Sequence, residues 1–277
     1  MPIQAVEHIR GMRGGAQSHL MRASDDHYYV VKFTNNPQHR RVLANEWLVG
    51  RLARRMGLPV PEMALVDVAP EIVARAPGLN FRIAGKVVPC DSGLQFGSRL
   101  PTADPHAPIY DYLPEEALEL VSNLDDFIGM LVLDKWTCNC NGRQVIYCRA
   151  APRRQLKVFM IDQGFCFDGG SWKFPDSPLR GVFSRNRVYN GVHGWDSLEP
   201  WLTRVEVFEE AAIYAAGEEV PPEWYGAWDD MERLLDQLVQ RRSAVRDLLW
   251  EVRGSQRRPF DNWVDRAAGA AQGQLYA

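Results

Sequence analysis

Tyr28-Tyr29-Val30-Val31-Lys32-Phe33 is a run of β-branched and aromatic residues that ends close to a lysine, and Asn45-Glu46-Trp47 follows it at helical spacing. The first run has strand character. Asn35-Asn36-Pro37 supplies a turn. From about Gln38 to Met56 the apolar residues Val42, Leu43, Trp47, Val49, Leu52 and Met56 recur with a helical period. Glu46 falls on the stripe shared by Val42, Val49 and Ala53, so its carboxylate is expected on the packed face. A buried carboxylate needs a partner. Lys32, fourteen residues earlier on a strand of the same unit, is an economical one. A surface lysine and a half-exposed helix acid is the alternative.

Outward from this pair, the N-terminal third reads as strand, turn, strand, helix, strand. Val6-Glu7-His8-Ile9 precedes Gly11-Met-Arg-Gly14-Gly15-Ala-Gln-Ser18, a small-residue loop. Glycines let backbone N–H groups approach phosphate oxygens with no Cβ in the way. Taken alone, the loop reads better as a plain hairpin turn, and it is neither a Walker A sequence nor a clean G-x-G-x-x-G. Gly57 is placed as the helix C-cap, with Pro59 and Pro61 preventing continuation. Val60 to Val88 suits further strands of the same sheet.

A Gly/Pro-rich passage from Cys90 to Pro108 separates this part from a more helical remainder. Pro114-Glu115-Glu116 opens a helix that runs to about Trp136, with a break near Asn123. Gln144 to Arg149 and Leu156 to Ile161 form two strands joined by Ala151-Pro152-Arg153-Arg154. Asp162 to His193 is a long Gly/Pro/Asn/Ser segment of a kind that is often functional. Helix returns after Glu199, clearest from Asp229 to Val252.

Two polar stretches remain: Leu133-Asp134-Lys-Trp136-Thr-Cys-Asn139-Cys-Asn141-Gly-Arg-Gln144, and Ile161-Asp162-Gln-Gly164-Phe165. Alone, Asp162 could simply open a turn. In chain order, however, the glycine loop, strand Lys, helix Glu, break, helix, polar loop, strand pair and Asp-x-Gly resemble the HipA-like kinases, bacterial relatives of the protein-kinase fold. The matching stretches are Asn45-Glu46-Trp47 with Leu52-Ala53, Gly57-Leu58-Pro59-Val60-Pro61, Asp134-Lys-Trp136 with Asn139, and Ile161-Asp162-Gln-Gly164. The resemblance implies an α+β, bilobed protein-kinase-like fold: a β-rich N-lobe at 1–92, a hinge at 93–108 and a mainly helical C-lobe at 109–277. It also implies ATP with Mg²⁺ and transfer to a protein Ser or Thr hydroxyl. Lys32 and Glu46 would then hold the ATP phosphates under Gly14, Gly15 and Ser18, and Asp162 would bind the metal. Gln95 and Phe96, within Gly93 to Ser98, sit where a hinge would contact adenine; a plain loop between lobes fits as well.

The chain departs from the family at the loop that carries the base. The family reads Asn-x-Asp-Arg-His there and ends in a metal-binding Asn before a strand. Here Asn141 takes the Asp position and Gln144 the metal-ligand position, 141 and 162 being 21 residues apart as the family has them. An amide cannot accept a hydroxyl proton as a carboxylate does. A second register makes Asp134 the base and Asn139 the metal ligand, matching the spacing D-x-x-x-x-N. On the first register Asp134 orients the loop by accepting backbone N–H groups. Two functions follow: an active ATP-dependent kinase, or a pseudokinase that binds nucleotide or a partner. An unrelated α/β protein is the third reading.

Composition agrees with any of these. At 277 residues and 46% hydrophobic, the chain is long enough for a core, and a net charge of −3 gives no global basic field for nucleic acid or membrane. No apolar run reaches the roughly 20 residues of a membrane helix. The N-terminus lacks the order of a signal peptide. Five scattered cysteines argue against a disulfide framework, which makes the cytoplasm the expected location. Cys138 and Cys140 have no second ligand pair at zinc spacing.

Overall fold

The computed structural model describes residues 1–149 and 155–265, so the turn expected at 151–154 lies outside the described residues. β1 (Ile3–Gly11), β2 (His19–Ala23) and β3 (Tyr28–Lys32) form an antiparallel meander, and α1 (Val42–Arg55) follows. β4 (Met63–Val68), a short α2 (Pro70–Arg75), the hairpin β5 (Asn80–Ile83) and β6 (Lys86–Pro89), and β7 (Gly93–Arg99) complete the N-terminal part. The strands close into a barrel in the order β1-β2-β3-β7-β4, sealed by a parallel contact of β1 with β4. Met21, Tyr29, Val31, Phe33, Val66, Val68 and Phe81 fill it. Val60 to Val88 is thus not all strand: Pro70 starts a helical turn, as proline at a first helical position favours.

β7 corrects the boundary drawn at 93. Gly93 to Arg99 is not an interlobe loop but a barrel strand, paired with β3 on one side and β4 on the other. Gly97 allows the close approach: a Cβ there would stand 2.4 Å from Val66 Cγ2. The connection to the rest of the chain begins only after Leu100.

α1 starts at Val42 rather than Gln38 and is buried along almost its whole length from Val42 to Ala53. Its end is a Schellman motif, with Gly57 N–H donating to Arg54 O (3.0 Å) and Leu58 N–H to Ala53 O (3.0 Å). Gly57 has φ +78°, which a glycine adopts without strain.

The C-terminal part combines a small sheet with helices. β8 (Ile109–Tyr110), β9 (Gln144–Arg149) and β10 (Leu156–Ile161) pair in the order β10-β9-β8. A 3₁₀ turn (Glu115–Leu120) and α3 (Asp126–Trp136) replace the single long helix, and the break falls at Asn123 as the sequence indicates. Asn123 causes it: its amide exchanges bonds with both backbone groups of Val158. α4 (Trp195–Glu206), α5 (Glu210–Glu218), α6 (Trp228–Arg241) and α7 (Val245–Gly254) follow, α4 starting before Glu199. Among the described residues no helix is long and apolar enough to cross a membrane.

α1 belongs to both parts. Its apolar residues share one core with Phe127, Trp136 and Trp224 of the helical part. Arg51 pairs with Glu219 and Arg41 with Asp230, and Trp224 Nε1 donates to Leu94 O on β7 at 3.1 Å.

Candidate functional site

Lys32 is the last residue of β3, and its side chain turns inward beneath α1. Its ammonium donates to Glu46 Oε1 and to Asp162 Oδ1, each at 2.5 Å. The Lys32 and Glu46 side chains are buried, at 8% and 4% exposure, whereas Asp162 keeps 36%. Burial alone would push the lysine pKa down, but Asp162 and then Glu46 more than offset it and hold the pKa well above normal. Burial would likewise raise Asp162, and Lys32 reverses this, keeping the carboxyl below its usual range and ionised. The three groups expected to meet do meet.

Asp162 leaves β10 with φ +57°, an uncommon conformation for a non-glycine residue. The next turn is tied to α1: Gly164 N–H donates to Glu46 Oε1 at 2.9 Å. Among the described residues no group of three His, Cys, Asp or Glu side chains could hold a metal alone. One accessible carboxylate fits Mg²⁺ all the same, because that ion uses one or two carboxylates and completes its shell with phosphate oxygens and water.

The loop from Asp134 to Gln144 is built on a second buried pair. Arg143 Nε donates to Asp134 Oδ2 at 2.9 Å, a second guanidinium N–H reaches Oδ1, and Asn139 Nδ2 donates to the same oxygen at 3.0 Å. The Asp134 and Arg143 side chains are 0% and 1% exposed. A base must reach its proton. Asp134 cannot, so the second register is corrected: this carboxylate holds the loop. It does so through Arg143 and Asn139 rather than through backbone N–H groups.

Asn139 is corrected as a metal ligand for the same reason. It is buried at 1% exposure, and its oxygen is occupied by the N–H of Asn141 at 3.1 Å. Asn141 and Gln144 are exposed. The oxygen of Asn141 accepts from Gly142 N–H, its carbonyl accepts from Gly181 N–H, and Gln144 lies opposite Ile161, the residue before Asp162. Arg143 was missed by the sequence reading. Its only signal was a charged residue just before a strand, which usually means solvent.

The glycine loop joins β1 to β2 and is closed by Met12 N–H donating to Ser18 O at 2.7 Å. Gly14 and Gly15 are exposed and Ser18 is buried. Gln17 anchors the loop by exchanging bonds with the N–H and carbonyl of Arg82 on β5. Gln95 and Phe96 do not stand in a hinge loop. Gln95 is wholly buried; its oxygen takes Thr34 N–H at 2.8 Å and its amide donates to Asp91 O and Ser92 O. Phe96 sits in the core, opposite Lys32 in the ladder. Both are struts of the barrel.

Residues 6–140 match the family model described as HipA-like kinase, and the resemblance read from the sequence stands over that stretch. Among solved structures, the Helicobacter pylori proinflammatory kinase CtkA aligns with 91% of this chain and 99% of its own, at 13% identity and a TM-score of 0.57, a likeness of fold. A Golgi casein kinase aligns with 92% of this chain and 74% of its own (13% identity, TM-score 0.49). HipA of Shewanella oneidensis MR-1, in a complex with HipB and operator DNA, aligns with 90% of this chain and 66% of its own (12%, TM-score 0.40). No curated protein sequence matches. The chain is a kinase-like protein with a β-rich N-terminal part and a helical C-terminal part.

Proposed function

We propose that this chain binds ATP with Mg²⁺ between its barrel and its helical part, as a bilobed kinase does, and passes the γ-phosphoryl group to a protein Ser or Thr hydroxyl. The observation that carries the reading is the meeting of Lys32 and Glu46, fourteen residues apart, with Asp162, 130 residues from Lys32, at 2.5 Å contacts. Lys32 is poised to exchange one carboxylate contact for phosphate oxygens, while Glu46 keeps it in place. Asp162 is the carboxylate that would hold the metal, and the glycine loop is the backbone that would cover the phosphates. Magnesium bound there would neutralise charge on the phosphates. Phosphoryl transfer rests mainly on positioning and electrostatics, so a site lacking a carboxylate base still supports slow transfer.

A specific observation favours the pseudokinase as second reading: the exposed residue at the base position is Asn141, and the neighbouring Asp134 is closed by Arg143. One experiment separates the two. Binding of a fluorescent ATP analogue is measured with and without Mg²⁺ for wild type, Lys32→Met and Asp162→Asn, together with transfer from γ-labelled ATP to the chain itself and to a generic protein acceptor. Mg²⁺-dependent binding lost in both variants, with slow transfer by wild type, is the expected result. Binding with no transfer selects the pseudokinase, and no binding under any condition overturns both.

A further inference from the structure

Asn45 and Glu46 are consecutive on α1 and hold the two backbone groups of one residue, Gly164. Glu46 accepts the N–H of Gly164, while Asn45 Nδ2 donates to the carbonyl of the same residue at 2.7 Å. Asn45 is wholly buried, and its amide nitrogen reaches two more carbonyls, those of Gly169 (2.9 Å) and Cys166 (3.1 Å). Two N–H hydrogens serve three acceptors, so one is shared. On its other side Trp172 Nε1 donates to Asn45 Oδ1 at 2.8 Å. One side chain thus ties residues 164–172 to the helix that carries Glu46.

That segment needs holding. Asp162, Phe167, Asp168 and Trp172 all have φ between +52° and +59°. Phe and Trp gain nothing locally from a left-handed backbone, so the conformation persists only where surrounding contacts over-determine it. Asn45 supplies the most concentrated of those contacts. Gly164 leaves no slack, since a Cβ there would stand 3.1 Å from Val42 Cγ1 and 3.3 Å from Glu46 Oε1. The direction in which the Asp162 carboxylate leaves the chain is therefore set two residues away, by α1.

We propose that Asn45 is a positioning residue for the metal: acting through Gly164, it fixes the Asp162 carboxylate relative to Lys32, so that the metal-binding geometry is assembled before any ligand arrives. The inference rests on the nucleotide-binding reading above and assigns a task to a residue that no part of that reading uses. Asn45 is wholly buried with both ends of its amide bonded inside the protein, so its task is exerted through Gly164. Its loss is expected to appear as weakened metal affinity with the nucleotide contacts of Lys32 and the glycine loop retained.

The test uses the full chain, ADP, and Mn²⁺ as a paramagnetic probe, with free Mn²⁺ read by electron paramagnetic resonance and metal-free ADP affinity read by calorimetry. In Asn45→Ala, Mn²⁺ affinity of the ADP complex should fall about tenfold or more while metal-free ADP affinity stays within about twofold, the pattern expected when a partner outside the metal's own ligands is lost. Trp172→Phe keeps an aromatic ring at the site and removes the N–H that orients Asn45, together with part of the indole's volume; it should show a smaller loss of the same kind and serves if Asn45→Ala does not fold. Equal Mn²⁺ affinity in folded Asn45→Ala or in Trp172→Phe, or parallel loss of both affinities, overturns the assignment. Failure of the wild type to bind ADP removes the nucleotide reading itself, a separate outcome from the first.

Discussion

Two buried charge clusters flank the β9–β10 strand pair, and they are built to opposite ends. Around Lys32 one cation meets two carboxylates, and one of these, Asp162, remains 36% exposed. Around Arg143 one cation meets one carboxylate, and both side chains are sealed at 1% and 0% exposure. The first cluster has a surplus of negative charge and an open edge, so it can exchange an internal contact for a ligand. The second has every strong bond made inside the protein and can only hold shape. On the proposed function, one buried cation with carboxylates would serve binding in one place and scaffolding in the other, and the difference between them is solvent access to a single carboxylate.

The largest effect is expected where the comparison is most lopsided. Asn141→Asp places a carboxylate at the exposed base position without touching either cluster. Transfer from Mg·ATP should then rise by about 10²–10⁴-fold, the usual worth of a positioned base, in single-turnover assays with γ-labelled ATP. An unchanged rate would mean that the missing base is not what separates the two halves of the site.

The next effects are on stability. Arg143→Met leaves Asp134 charged, buried and unpaired, and should cost about 3–5 kcal/mol in urea unfolding, with most of the loss recovered in the double variant Asp134→Leu/Arg143→Met. Lys32→Met should cost less, about 1–3 kcal/mol, because Glu46 retains the N–H of Gly164 and Asp162 can turn to water. Its effect on nucleotide binding should be the greater of the two. If Lys32→Met proves the more destabilising and Arg143→Met the more damaging to binding, the roles assigned to the clusters are reversed.

The smallest predicted effect concerns the barrel alone. His19 is buried beside Phe33 and Phe81, and burial, with the nearby His8 adding to it, lowers its pKa from 6.5 to about 4. As pH falls below 6.5 the unfolded chain takes up a proton that the folded chain refuses until about 4. The contribution of His19 is thus fully present above pH 6.5 and is lost toward pH 4. Urea midpoints measured from pH 7 to 5 should fall, and His19→Phe should flatten the slope. Equal slopes would remove His19 from the account of acid sensitivity.

Much of the architecture was legible because local pattern and fold agree. β9 and β10 fall on the residues that the β-branched runs mark, Gly57 ends α1 as a glycine cap should, and Glu46 lies on the packed stripe that the helical period assigns to it. The errors cluster where long-range pairing overrides local composition. Gly93 to Ser98 looks like a loop because of its glycines, yet closing the barrel requires a strand there, and Gly97 is what lets it approach β4. Asp134 looks reactive in a motif and is inert in space, since its partner Arg143 is a residue whose burial no periodicity announces.

The sequence by itself determined the order of elements and the chemical types available: a strand lysine, a helix acid, an acid two residues before a glycine, and an amide at position 141. Periodicity and side-chain chemistry are local properties, so a chain can be read for them one segment at a time. Only the tertiary structure decided which carboxylates stay open to solvent and which are consumed inside the protein. That choice depends on burial and on partners more than a hundred residues apart, such as Lys32 and Asp162, and no short stretch of sequence encodes it.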